Sequence, residues 1–134
     1  MSTYLFVTDP ESSKLSSVKD RTDNEWSCSK STTVGDTALV YFTGGPGISC
    51  EWRVTRQAEP HQEWRYACEV THVRDFDPPI SLKEIWSAIQ KSLWPAAYTH
   101  FRGLRSIRIP DAVVDKLLSL RPRFKLSMIQ KHDI

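Results

Sequence analysis

No run of about 18 apolar residues occurs in the chain, so no transmembrane helix is expected. The opening MSTYLFVTDP has no basic n-region, and its apolar run is too short for a signal peptide. Cysteine is scarce: three residues, an odd number, with none in a C-x-x-C spacing. That argues against a disulfide framework and for a reducing, cytoplasmic compartment. Glycine is scarce too, and the one cluster, GGPG at 44–47, lacks the G-x-x-x-x-G-K-[ST] spacing of a phosphate loop, so it reads as a hairpin turn. Metal ligands are thinly spread over Cys28, Cys50, Cys68, His61, His72 and His100. Cys68 and His72 share a strand face, but about 13 Å apart, too far to hold one tetrahedral ion. Asp75 and Asp77 have no third acid beside them and read as solvated turn residues. Neither a metal nor a cofactor is expected.

A length of 134 residues fits one domain with one core. The net charge is only +2, but it is uneven. Residues 99–134 carry eight Lys/Arg against three Asp, while the first 98 residues are net acidic. A basic end of this kind suits either a polyanionic partner or a merely solvated tail. Five tryptophans are many for this length, so some should serve as ring surfaces outside the core.

TYLFVT (3–8) reads as a central strand, and Asp9-Pro10 opens a short helix over 10–19 with Leu15 and Val18 inward. Residues 20–33 are polar loop apart from Trp26, VGD at 34–36 is a turn, and 37–43 is a strand. The strand over 48–55 puts Ile48, Cys50, Trp52 and Val54 on one face; the next, 63–76, puts Trp64, Tyr66, Cys68, Val70 and His72 on one face and is broken by DPPI. Ser81-x-x-Glu84 is a capping box before an amphipathic helix whose apolar stripe includes Ile85, Trp86 and Ile89, which makes Trp86 core. Residues 94–103 are irregular and aromatic, 104–109 form a last short strand, and Pro110 opens a helix with Val113, Val114, Leu117 and Leu118 inward, stopped at Arg121-Pro122. The architecture expected is α+β: a small, strongly curved or closed sheet with two to three helices outside.

Cys28, between two serines, could pair with His100 as a nucleophile, although nothing local marks it as more than a pocket-wall thiol. The denser constellation combines Trp26, Trp64, Trp94, Tyr98, His100 and Phe101 with Arg102, Arg105 and Arg108. Aromatic faces beside cations suit an extruded base and its phosphates. Trp26, in a polar-flanked segment, is expected to be a pocket wall, with plain core as the alternative. Trp26 and Trp94 should then line one concave pocket near Ser27 and Arg102.

The serial order of TYLFVTDP, EWSCSKS, TTVGDTALVYFTG, GISCEWRV, RYACEV and LWPAAYTHFRGLRSIRIPDAVVDKLL resembles the EVE domain, of the PUA-like superfamily and akin to YTH domains. The likeness spans about residues 2–120, giving one domain over 1–120 and a basic tail over 121–134. It implies a PUA-like mixed β-barrel of five to six strands without enzymatic activity, binding DNA or RNA through a flipped, modified cytosine or adenine in an aromatic cage. Trp26-Ser27 looks like the Trp-Ser pair of YTH domains, with Trp26 stacking and Ser27 or the Cys28 amide reading the base edge. Thr8 and Asp9 look like the polar readers at the end of the first strand. Trp94, Tyr98, His100 and Phe101 look like the closing segment, and Trp64 like a second wall. Lys30, Arg102, Arg105 and Arg121 would meet phosphates. The sequence departs from many EVE proteins in carrying Ser27-Cys28-Ser29 after the loop Trp, which leaves the base open. A methyl group alone would add only roughly 0.8 kcal/mol by burial. The partner implied is nucleic acid, not membrane, and the chain is expected to be a monomer or weak homo-oligomer. Two other classes stay open: an ASCH-like hydrolase or nuclease using Cys28, His100 and Asp9, or a protein-interaction module.

Overall fold

The computed structural model describes residues 1–8 and 24–121. Asp9, the expected helix over 10–19 and the tail beyond Arg121 lie outside them. Six strands form one mixed sheet: β1 (Thr3–Thr8), β2 (Asn24–Ser27), β3 (Thr37–Phe42), β4 (Gly47–Pro60), β5 (Tyr66–Ile80) and β6 (Ser106–Arg108), in the order β2-β5-β4-β3-β1-β6. β1 and β3 run parallel and every other pair antiparallel. Helix α1 (Leu82–Ala88), a 3-10 turn (Pro95–Thr99) and helix α2 (Asp111–Leu120) complete the chain's described elements. The sheet is a curled half-barrel with two helices packed against it, the PUA-like α+β arrangement.

Period-two alternation separates two cores, one on each face of the sheet. Tyr4 and Phe6 join Val40, Trp52, Val54 and Val70 in the barrel interior. Leu5, Leu39 and Tyr41 join Ile85 of α1 and Val113 and Leu117 of α2 on the other face. β4 and β5 are long, and their pairing slips at four points. Such bulges bend a strand and steepen its twist, which is how a six-stranded sheet curls this far.

The bulges also correct the strand reading. Ile48 does not share a face with Cys50: the slip between them sends Ile48 to the helix-covered core. DPPI does not end β5. The register jumps from Cys50–Asp75 to Ile48–Ile80, so Pro78 and Pro79 fall where no ladder N–H is required. Trp26 is not in a loop; it sits in β2, opposite Cys68 on β5.

The capping box forms as the sequence predicts, with Ser81 Oγ accepting from Glu84 N (3.1 Å) and Glu84 Oε1 accepting from Ser81 N (3.3 Å). α1 stops at Ala88, however, and Trp86 stands 36% exposed rather than in the core. Leu82, Ile85 and Ile89 fill the inward stripe, which leaves Trp86 at its edge, its Nε1 donating to the Ala97 carbonyl (2.8 Å).

The two edges of the sheet, β2 and β6, come together at a seam. Ser29 Oγ, just after β2, donates to Ser106 Oγ (3.0 Å) at the start of β6, and the Tyr4 and Ser31 hydroxyls hydrogen-bond at 2.7 Å. Neither contact is a backbone ladder; among the described residues, side-chain hydroxyl groups stitch the half-barrel there.

Candidate functional site

A cleft of about 420 Å³ opens along this seam. Three short segments wall it: Ser27 to Ser29 after β2, Glu63 to Arg65 in the β4–β5 hairpin, and Gly103 to Ser106 before β6. A second hollow of about 500 Å³ adjoins it, sharing Cys28, Ser29 and Arg65 and adding Lys30 and Tyr66. Both volumes lie in the range of small-molecule sites.

The hairpin wall is built from residues 61–65. His61 Nδ1 accepts from the backbone N–H of both Glu63 and Trp64 (3.2 Å each), which closes the turn. With that nitrogen accepting, the ring proton of the neutral imidazole sits on Nε2, which donates to Glu25 Oε1 on β2 (3.2 Å). The imidazole therefore lies flat on the Trp64 indole, centroids 4.7 Å apart and planes 19° apart. Glu25 also takes Arg56 (3.3 Å), and Arg56 reaches Glu69 (3.0 Å), so Glu25 and Glu69 are engaged by partners.

Arg65 and Arg105 are exposed on two different segments lining the cleft, and Lys30 is exposed at the adjoining hollow. Glu63 is the carboxylate among the lining residues. The β6 wall turns through Gly103 at φ +77°, where nothing lies within 4 Å of an added Cβ; the glycine is needed for its left-handed backbone, not for space. On the β2 wall the buried Cys28 thiol hydrogen-bonds to Cys68, and this contact, supported by Thr32, lowers the Cys28 pKa against the opposing effect of burial. The same contact together with burial raises that of Cys68.

The structure thus brings together Ser27, Cys28, Trp64 and Arg105 of the expected site residues, with Lys30 alongside. It does not bring Trp26 and Trp94 into one pocket. Trp26 is only 9% exposed and packs edge-on against Trp52 (5.0 Å) in the barrel interior. Trp94 and Phe101 are buried on the opposite face of the sheet, their rings 4.9 Å apart. Tyr98 is spent on structure, its hydroxyl donating to the carbonyls of Ile89 (2.6 Å) and Trp86 (3.0 Å). His100 stands on the surface against Trp86, and Thr8 ends β1 opposite Phe42. Arg102 is exposed in the turn ahead of Gly103. Arg121 is no free cation for phosphate: it donates to the Pro78 and Pro79 carbonyls (2.7 and 3.3 Å) and to Glu84 Oε1 (2.8 Å). Arg65 and the Ser29–Ser106 stitch are site features that the sequence did not single out, and His61 entered there only among the scattered metal-ligand candidates. The run H-Q-E-W-R, a cation beside an indole in a hairpin turn, was the available signal.

No family model matches the chain, and no curated protein matches it by sequence. Solved structures do. A Pseudomonas putida protein superposes with a TM-score of 0.74 at 18% identity, over 89% of this chain and 99% of that one. A Leishmania major protein gives 0.74 at 17%, over 90% and 94%. Human THYN1, solved in complex with DNA containing 5-methylcytosine, gives 0.73 at 17%, over 92% and 99%. The DUF55 domain of human thymocyte nuclear protein 1 gives 0.72 at 18%, over 92% and 100%. At these identities the likeness establishes the fold, and that fold is the EVE, PUA-like one implied by the order of the sequence motifs.

Proposed function

We propose that this chain is a non-catalytic nucleic-acid-binding module that receives a flipped, modified base at the seam cleft. The observation that carries the reading is the convergence, in one cleft, of the Trp64 indole with two arginines, Arg65 and Arg105, from two of its walling segments. A flat ring backed by His61 suits a base face, worth on the order of 1–3 kcal/mol per stacked base. Guanidinium groups in the same cleft suit the flanking phosphates, which supply sequence-blind and salt-dependent affinity. The Ser27 hydroxyl stands at the cleft for the base edge, whereas the Cys28 N–H already donates to the Tyr66 carbonyl (3.1 Å). Trp26 supports the β2 wall from the interior rather than stacking on the ligand. That human THYN1, of the same fold, was solved with DNA containing 5-methylcytosine makes this cytosine the first base to try.

The test is a tryptophan-fluorescence titration with short single-stranded oligonucleotides that differ only in one cytosine or 5-methylcytosine, run in moderate salt. Saturable quenching is expected, tighter for the methylated strand and lost in Trp64→Ala. The recovered oligonucleotide should have unchanged mass. Cleavage or base release would replace the binding reading with a hydrolytic one, and no binding to either strand would remove nucleic acid as the partner.

A further inference from the structure

A second aromatic surface lies outside the cleft. Trp86 is the most exposed tryptophan among the described residues, and its neighbours hold it rigidly. Its Nε1 donates to Ala97 O, the Tyr98 ring stacks beside it (6.0 Å, 29°), and the His100 ring meets it edge-on (5.4 Å, 63°). An exposed indole fixed on three sides has little rotamer freedom left to lose on binding.

The loop that places His100 is strained. His100 and Phe101 both have positive φ, 58° and 55°. Histidine tolerates this conformation; phenylalanine rarely adopts it. Phe101 is held there because its ring is fully buried against Tyr41 (4.7 Å) and Trp94 (4.9 Å), and because its N–H donates to Ala96 O (3.0 Å). Backbone strain that the surroundings over-determine collects where geometry serves function. Here it turns His100 and Arg102 outward, between Trp86 and the cleft wall at Gly103.

Charge indicates what this surface would meet. Between Glu84 and Asp111 the chain carries Lys91, Arg102, Arg105 and Arg108, and not one carboxylate. Glu84 itself is engaged by Arg121, and Arg102 and Arg105 pair with no carboxylate among the described residues. A rigid indole in such a field complements an anionic chain that carries planar groups. His100 and Gly103 are three residues apart, at most about 10 Å. That is roughly three rises of a stacked strand at about 3.4 Å each.

We propose that Trp86 is a second stacking platform, which takes an unpaired base up to about three nucleotides from the one held in the cleft, with Arg102 on a phosphate of the strand between them. This rests on the nucleic-acid reading above, and the test separates the two. Binding is measured for the mononucleotide 5-methyl-dCMP and for a single-stranded octanucleotide with one central 5-methylcytosine. Trp86→Ala should leave the mononucleotide unchanged and weaken the octanucleotide by roughly 5- to 150-fold, the range of one lost stacked base. Trp86→Leu, which keeps apolar bulk without a π-face, should behave like Ala. Trp86→Phe should restore most of the affinity. Arg102→Ala, which disturbs no packing, should weaken the octanucleotide alone and flatten its salt dependence. Octanucleotide affinity unchanged in Trp86→Leu and Arg102→Ala overturns the platform while leaving the cleft reading intact. Failure of the wild-type protein to bind either probe overturns both.

Discussion

The His61 imidazole lies parallel to the Trp64 indole, and a hydrogen bond from its far nitrogen ties it to Glu25 on the neighbouring strand. One ring thus couples the hairpin wall of the cleft to β2. A histidine in this position acts by orienting another side chain, so its removal should loosen Trp64 without emptying the site. An aromatic pair of this kind contributes about 0.5–1.5 kcal/mol. His61→Ala should therefore weaken oligonucleotide binding a few-fold, far less than Trp64→Ala. His61→Phe, which keeps the stack but loses the Glu25 contact and the turn-closing acceptor, should recover part of it. Fluorescence titrations of the three variants decide the point, and equal losses for His61→Ala and Trp64→Ala would refute the positioning role.

Trp26 gives a contrasting expectation. It is nearly buried, edge-on to Trp52, and its removal leaves a void in the barrel interior. Trp26→Ala should cost about 3–5 kcal/mol of stability, as truncation of a large core ring does. Trp64→Ala, on a partly exposed ring, should cost far less. Urea denaturation measures both. A Trp26→Ala protein of native stability that has lost binding would restore this indole to the role of pocket wall.

Every described strand but β2 was legible because alternation and turn residues are local signals: the capping box at Ser81 and the GD turn need only a few residues. What the sequence hid was anything set by register. A bulge moves Ile48 to the other core, and another lets Pro78 and Pro79 stay within β5. Trp26 and Trp94 look alike as loop tryptophans, yet β2 pairing turns one into the barrel and the 3-10 turn buries the other under the helices. The cleft joins segments around 28, 64 and 104 that meet only because the sheet curls until its edges touch. No periodicity encodes that closure.

The arginines on the cleft walls should be visible in salt. For single strands, log K falls with log salt by about 0.7 for each phosphate neutralised. Arg65→Ala and Arg105→Ala should each lower affinity similarly for methylated and unmethylated strands, and each reduce the slope by about 0.7. Preserved slopes with altered methyl discrimination would show that these side chains read the base instead.

Arg121 offers the opposite case, a cation committed to the fold. Its guanidinium, donating to Glu84, is the main cause holding that carboxyl below its ordinary pKa. A carboxylate with a depressed folded pKa contributes stability that is complete above its unfolded value, about 4.3, and lost as pH falls through the folded one. Glu84→Gln keeps a side chain able to complete the capping box and removes the ion pair. It should be less stable than the wild type by about 0.2–1 kcal/mol at pH 7, the scale of a partly exposed pair, with the gap closing on acidification. Arg121→Ala, which loses the Pro78 and Pro79 carbonyl contacts as well, should be destabilised further and bind oligonucleotide with unchanged affinity. Lost affinity in a folded Arg121→Ala protein would return this residue to the phosphate set.

Cys28 reports on the cleft by its own chemistry. Its thiolate is favoured by the Cys68 thiol, whereas Cys68 is pushed the other way and Cys50 is wholly buried. Alkylation proceeds through the thiolate, so iodoacetamide at mildly alkaline pH should modify Cys28 first, as read by intact mass and peptide mapping. Cys68→Ala removes the favouring hydrogen bond and should slow that reaction. Because Cys28 lines both the seam cleft and the adjoining hollow, a saturating methylated oligonucleotide should protect it. Binding that leaves the Cys28 alkylation rate untouched would place the ligand elsewhere on the protein, whatever its affinity.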